Sequence, residues 1–278
     1  MSLGIMPARD QAGAIPTAGI LFFKRYEIKD THQDGETRPF VLLKNKEVFV
    51  NVVYALTRNY YYKIFPSIKS LMEHNPKAKV YILCEDDEYP YPLPCDATII
   101  NVSGQTWFPT NGINYHNYFS YINLLRVCYP MYLKCNKVIH LDVDTIVCES
   151  LEPMWRTDLK GKWFGACSEV LGKYHPFGPT YYNMGVAVIN LQQMRTDGIV
   201  PTMVKYLNTV PQMWADQDAW NKYGLEQGKT VTLDTRWNEN CMTGYTETPA
   251  IVHYTAIPDW FENRNIGRVE YLNKYRDG

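Results

Sequence analysis

The sequence predicts one α/β domain built on a parallel sheet with crossover helices. Two observations predict it. From residue 48 the chain opens as strand, helix, strand, and parallel neighbours need such a crossover. Short β-rich runs then alternate with helical periods to about residue 223, with no repeat and no linker that would split them.

The elements follow in order. Residues 48–54 are rich in β-branched and aromatic side chains and read as a buried strand. Residues 61–73 carry Ile64, Phe65, Ile68, Leu71 and Met72 at helical spacing, and Asn75 and Pro76 stop them. Residues 79–84 and 98–102 are short apolar strands. A helix is expected over 118–133 and a strand over 137–141. Further strands are expected at 163–168 and 185–191, and helices at 201–209 and 216–223. Residues 1–47 mix Gly, Pro, Asp and Thr without a sustained period and read as an N-terminal arm before a domain over 48–278.

Composition excludes several function classes. Hydrophobic residues make up 46%, enough for a sizeable core. The 28 basic and 29 acidic residues leave a net charge of −1, which gives no electrostatic footprint for nucleic acid. Seven cysteines (84, 95, 128, 135, 148, 167 and 241) are scattered without a C-x-x-C, which argues against a zinc cluster or a disulfide framework. They fit small hydrophobes in a reducing compartment, so a cytoplasmic location is expected. No apolar run is long enough to span a membrane. The weakly apolar patch 15–23 lacks a basic start and does not read as a signal peptide.

The sharpest chemical feature is His140-Leu141-Asp142-Val143-Asp144-Thr145. A buried strand ends in two aspartates one residue apart, and residues i and i+2 of an extended chain face the same side. Both carboxylates then meet at the strand's carboxyl end, where open α/β sheets bind ligands. Oxygen ligands there suit Mn2+ or Mg2+ together with a diphosphate. His253, in Ile251-Val252-His253-Tyr254, is a candidate third ligand, and an imidazole beside two carboxylates favours Mn2+. The bland alternative is a solvated turn and a structural histidine. The other histidines have no comparable setting, although His175 lies in a Gly/Pro-rich loop and is a reserve.

Five blocks in order give the chain a resemblance to glycosyltransferase family 8, the family of glycogenin and of bacterial lipopolysaccharide galactosyl- and glucosyltransferases. They are the segment from Val52 through Ala55, Leu56, Thr57 and Asn59 to Tyr62; Leu124-Leu125-Arg126-Val127 with Pro130; Leu141-Asp142-Val143-Asp144-Thr145; and Tyr182-Asn183-Met184-Gly185-Val186. The fifth combines Asp216-Gln217-Asp218 with Asn221, Trp237-Asn238 and His253-Tyr254.

The resemblance implies a single-domain GT-A fold, a mixed and mostly parallel sheet flanked by helices. It implies a retaining transfer of a sugar from a UDP-sugar to a saccharide or other hydroxyl acceptor. Asp142, Asp144 and His253 would bind Mn2+, with Mg2+ as the alternative. Ala55, Leu56, Thr57 and Asn59, a tyrosine from Tyr60 to Tyr62, and Asp142 with Val143 would hold the nucleotide. Arg126, Asn183, Asp216 and Gln217 would surround the donor sugar. Bland readings stand beside these: a surface arginine, a turn before Gly185, a helix cap at Asp216.

The chain also departs from the family pattern. Many relatives carry an aspartate where Thr57 stands, and Met184 replaces a small residue. After His253 the segment runs Tyr254-Thr255-Ala256-Ile257-Pro258-Asp259-Trp260, without the family's glycine and lysine. Arg264 or Arg268 is the expected replacement cation for the diphosphate. A self-glucosylating primer and an inactive nucleotide-sugar-binding module are the competing functions, and homodimerisation stays open.

Overall fold

A computed structural model describes residues 48–276 except 117, 179 and 258. The expected arm over 1–47, with its patch at 15–23, lies outside the described residues.

Strands are numbered along the chain: β1 (Asn51–Ala55), β2 (Lys79–Cys84), β3 (Ala97–Asn101), β4 (Val138–Leu141), β5 (Thr145–Val147), β6 (Phe164–Ser168), β7 (Tyr182–Ile189), β8 (Thr230–Leu233) and β9 (Ile251–His253). Among the described residues, the main sheet has seven strands in the order β3-β2-β1-β4-β7-β6-β8. The pairs from β3 to β4 are parallel, as is β6 with β8, while β7 runs antiparallel to both β4 and β6. The sheet is mixed and mostly parallel, with helices against it, as expected. β5 and β9 form a separate antiparallel pair with Thr145 opposite His253.

The expected strand–helix–strand opening is present, with the helix at Phe65–His74. One core layer packs Tyr54, Ile64, Ile68, Leu71 and Ile82 on that side of the sheet, and another packs Leu125, Tyr129, Trp163, Met203 and Trp220 on the other. The strand order reverses direction between β1 and β4. Loops leaving the carboxyl ends of these two strands therefore splay apart and leave a crevice. Thr57 follows β1 and Asp142 follows β4, so both candidate segments sit at that crevice.

The helix expected over 118–133 is broken. It forms as Tyr121–Leu124, a 3-10 turn Leu125–Cys128, and Tyr129–Tyr132. Ser120 caps the start by accepting from the Ile122 amide. Pro130 lacks an N–H, so no bond runs back to the Arg126 carbonyl from that position, and the Tyr129 amide takes that carbonyl in a tighter turn. The strand expected at 185–191 begins earlier, at Tyr182, so Asn183 is a strand residue and not a turn former.

All seven cysteines are unpaired. No helix among the described residues is long and apolar enough to cross a membrane.

Candidate functional site

The aspartate pair sits in a short link between β4 and β5, and buried hydroxyls fix that link. Thr145 Oγ1 donates to the Asp142 carbonyl at 2.8 Å. It also bonds Ser67 Oγ at 2.9 Å, and Ser67 bonds the Tyr54 hydroxyl at 3.0 Å. The helix Phe65–His74 and β1 thus both anchor the link. β9 brings His253 alongside through its pairing with β5, and the Tyr254 amide donates to the Asp144 carbonyl at 2.9 Å.

One ligand atom each from Asp142, Asp144 and His253 lie within 4.8 Å of one another. His253 Nε2 is 3.2 Å from Asp144 Oδ1 and 3.8 Å from Asp142 Oδ2. The imidazole is buried, while the Asp142 and Asp144 side chains are 31% and 18% exposed, so the cluster opens to the crevice on its carboxylate side.

The donor set fits a divalent cation, because the ring is pre-oriented. His253 Nδ1 lies 2.8 Å from Asn238 Oδ1, which can only accept, so Nδ1 carries a proton and Nε2 is the nitrogen turned toward the aspartates. Asn238 Nδ2 donates in turn to Asn183 Oδ1 at 2.9 Å. Gly185 permits the arrangement. A Cβ there would stand 2.2 Å from His253 Cε1 and 2.7 Å from Asp142 Oδ2, so no larger residue fits.

A second charged group backs the cluster. Arg126 donates to Asp142 Oδ1 at 2.8 Å and, through two nitrogens, to Asp216 Oδ1 at 3.1 and 2.7 Å. Asp216 Oδ2 accepts from Trp220 Nε1 at 3.0 Å. Arg126 is not a surface arginine but is buried with its charge satisfied. Desolvation raises the Asp216 carboxyl to about 6, against the lowering pull of Arg126. At Asp142 desolvation also opposes ionisation, but Arg126 and the two histidines outweigh it and hold the carboxyl well below the usual range. Burial lowers His253, but the Asp144 and Asp142 carboxylates together outweigh it, for a net upward shift.

Asp216 does not cap its helix, Asp216–Glu226. Asp218, in the first turn, reaches back instead, and its Oδ2 accepts from the Met213 and Trp214 amides ahead of the helix. Gln217 Oε1 accepts from the Met184 amide at 2.8 Å, and its Nε2 donates to Glu169 Oε1 at 3.2 Å. Asn183 Nδ2 donates to the same oxygen at 3.2 Å. Arg126, Asp142, Asp144, Asn183, Asp216, Gln217 and His253 therefore fall into two linked networks around one crevice.

The segment expected to hold the nucleotide lies at the end of β1. Ala55 and Leu56 are buried, Thr57 is half-buried and Asn59 is exposed. Burial raises the Tyr60 phenol, and the Asp144 charge raises it further. Tyr62 donates to Glu262 at 3.1 Å. Val143 is half-buried between the aspartates. Arg268 is turned to Glu239, donating at 2.8 Å, and to the Thr246 carbonyl at 2.6 Å. Arg264 donates to Asn273 at 3.4 Å.

Two participants were not singled out from sequence. His140 stands on β4 with Nε2 3.0 Å from Asp142 Oδ1 and Nδ1 2.9 Å from the Tyr129 hydroxyl. Its place two residues before Asp142 is the available signal. Glu169 is buried just past β6, with Oε2 3.5 Å from His175 Nε2. No local pattern marks Glu169.

The description "Glycosyl transferase family 8" matches residues 51–258. The chain belongs to glycosyltransferase family 8. Glycosyltransferase GlyD of Streptococcus pneumoniae serotype 4 is 25% identical to this family member over 257 residues, 81% of this chain and 30% of that protein. GlyB of the same organism is 21% identical, over 76% of this chain and 57% of its own length. The chain thus spans well under two thirds of these curated relatives. Among solved structures, a galactosyltransferase LgtC in complex with donor and acceptor sugar analogues superposes with a TM-score of 0.62 at 21% identity, covering 81% of this chain and 96% of that one. Mouse xyloside xylosyltransferase 1 gives 0.56 at 16% identity, covering 75% and 98%. These likenesses establish the fold.

Proposed function

We propose that the protein transfers a hexose or related sugar from a UDP-sugar to a saccharide or other hydroxyl acceptor, with retention and with Mn2+ required. The observation that carries the reading is the Asp142–Asp144–His253 cluster, with His253 pre-oriented by Asn238 at the carboxyl end of β4. One histidine with two carboxylates favours Mn2+ over Mg2+. When bound, the cation neutralises charge growing on the departing diphosphate. The LgtC complex with donor and acceptor sugar analogues supports the transfer of a sugar from a donor to an acceptor.

The chain's own residues shape the rest. Ala55, Leu56, Thr57, Asn59 and Tyr62, with Val143, are proposed to bind the nucleotide. Asn183 and Gln217 are proposed to face the donor sugar, fixed in orientation by Glu169. Asp216 is poorly suited to be a nucleophile, because Arg126 and Trp220 occupy both of its oxygens. This favours front-side displacement: the acceptor oxygen bonds to the anomeric carbon as the carbon–phosphate oxygen bond breaks, and the leaving phosphate takes the acceptor's proton. Arg126 and Asp216 then set the charge and position of Asp142. The unpaired cysteines support a cytoplasmic site of action.

The test is a panel of nucleotide sugars with Mn2+, followed by NMR of the anomeric proton in the product. Turnover confined to UDP-sugars with the donor's anomeric configuration kept supports the reading. Turnover of GDP-sugars alone, or inversion, overturns it. Mass spectrometry of the purified protein for added hexoses separates an external acceptor from self-glucosylation.

A further inference from the structure

A nucleoside diphosphate needs more positive charge than this metal cluster provides. Two carboxylates already offset a divalent cation, and Arg126 is spent on Asp142 and Asp216. Arg268 is spent on Glu239, whose side chain is fully buried. Another cation has to stand where the phosphates cross from the nucleotide segment to the metal.

Lys63 is the candidate for that position. It follows the nucleotide segment directly, and its amide donates to the Tyr60 carbonyl at 3.0 Å. Its Nζ lies 5.9 Å from the centre of the Tyr60 ring, 5.6 Å from that of Tyr62 and 6.0 Å from that of Phe261. Tyr60 and Tyr62 belong to the nucleotide side of the crevice, and Phe261 to the segment that follows His253. Lys63 therefore sits at the seam of the two segments.

The lysine is held by an exchangeable partner. Lys63 Nζ is 3.2 Å from Glu262 Oε1; the lysine side chain is 17% exposed and the glutamate 52%. An ion pair with a half-exposed glutamate is worth little in water. A diphosphate brings more charge and several acceptor oxygens to the same ammonium. Glu262 can swing to solvent, whereas Lys63 is packed among three rings.

On the nucleotide-sugar reading above, we infer that Lys63 binds the donor diphosphate and that Glu262 occupies its place until the donor displaces it. Two opposite effects follow. Removing the lysine weakens diphosphate binding but leaves the nucleoside contacts alone. Removing the glutamate's charge strengthens diphosphate binding, because nothing has to be displaced.

The experiment is calorimetry of UDP and of uridine, with Mn2+ present, on the parent, Lys63→Ala, Lys63→Arg and Glu262→Gln. Melting temperatures of all four establish that they are folded. Lys63→Ala is expected to weaken UDP by at least about tenfold, the loss of a charge-assisted hydrogen bond, with uridine unchanged. Lys63→Arg keeps most of the UDP affinity, and Glu262→Gln binds UDP more tightly than the parent. Parental UDP affinity in folded Lys63→Ala overturns the inference and leaves the nucleotide-sugar reading standing. A parent that binds no UDP overturns both.

Discussion

Gly185→Ala adds one methyl group to β7 at the point where that strand crosses the candidate metal cluster. The new Cβ would lie 2.2 Å from His253 Cε1 and 2.7 Å from Asp142 Oδ2. Carbon atoms rest about 3.5 Å apart or more, so the ring has to retreat by about 1.3 Å. It has little room, because Asn238 holds Nδ1 and the ring is buried. Nor can β7 yield easily, since its Gly185 carbonyl accepts from the Asp142 amide at 2.7 Å. Overpacking of this kind costs about 1–3 kcal/mol, or roughly 2–12 °C in Tm for a domain of this size. Displacing a positioned group by about 1 Å costs on the order of a hundredfold in function. Mn2+ titration calorimetry and thermal melts on the parent and variant measure both effects. A Gly185→Ala protein with parental Mn2+ affinity and parental Tm would refute the claim that this glycine makes room for the cluster.

Three further outcomes follow from the same contacts. Asn238→Ala frees the His253 ring and is expected to weaken Mn2+ binding about 10- to 100-fold; unchanged affinity in a folded variant removes Asn238 from the account. UDP with Mn2+ should raise Tm more than GDP with Mn2+ or Mn2+ alone, since a ligand at a hundredfold excess over its Kd stabilises by about 2.7 kcal/mol; equal shifts with GDP contradict the nucleotide assignment. Asp197 accepts from Lys229 at 2.8 Å and from Trp163 Nε1 at 2.7 Å, and Lys229 is the main cause of its lowered carboxyl pKa. A lowered folded value means that its stabilisation is present above the unfolded carboxyl's titration and is lost as pH falls through the folded value. Asp197→Asn should therefore lose less Tm than the parent between about pH 5 and pH 3; parallel acid limbs would exclude that role.

Much of the site was legible because its geometry is local. Asp142 and Asp144 alternate in sequence just past a buried strand, which puts both carboxylates at its carboxyl end, although the structure brings them together through a turn at Val143 and Asp144 and not along an extended segment. His140 shares that alternation, yet a histidine inside an apolar strand looks like any satisfied core residue until Tyr129 and Arg126 are seen around it. Glu169 was not legible, since its partners Asn183 and Gln217 come from β7 and the helix Asp216–Glu226. The break in the 118–133 helix was foreshadowed by Pro130, but the consequence, a tight turn that places Arg126, needs the packing. The helix Leu191–Asp197 is short, and its signals are small: Asn190 accepts from the Gln193 amide, and Gly198 closes it at φ +63°. The strands β5 and β8 are three and four residues long, too short for a period to emerge.

The central claim is that Asp142, Asp144 and His253 hold a divalent cation that sugar transfer requires. Asp144 tests it most directly, because, unlike Asp142, it is not paired with Arg126. The measurement is UDP released from a UDP-sugar donor as Mn2+ is titrated, for the parent and for Asp144→Ala, with circular dichroism on both. The account predicts Mn2+-dependent release by the parent and none by a variant with the parental spectrum. Near-parental release by folded Asp144→Ala would contradict it.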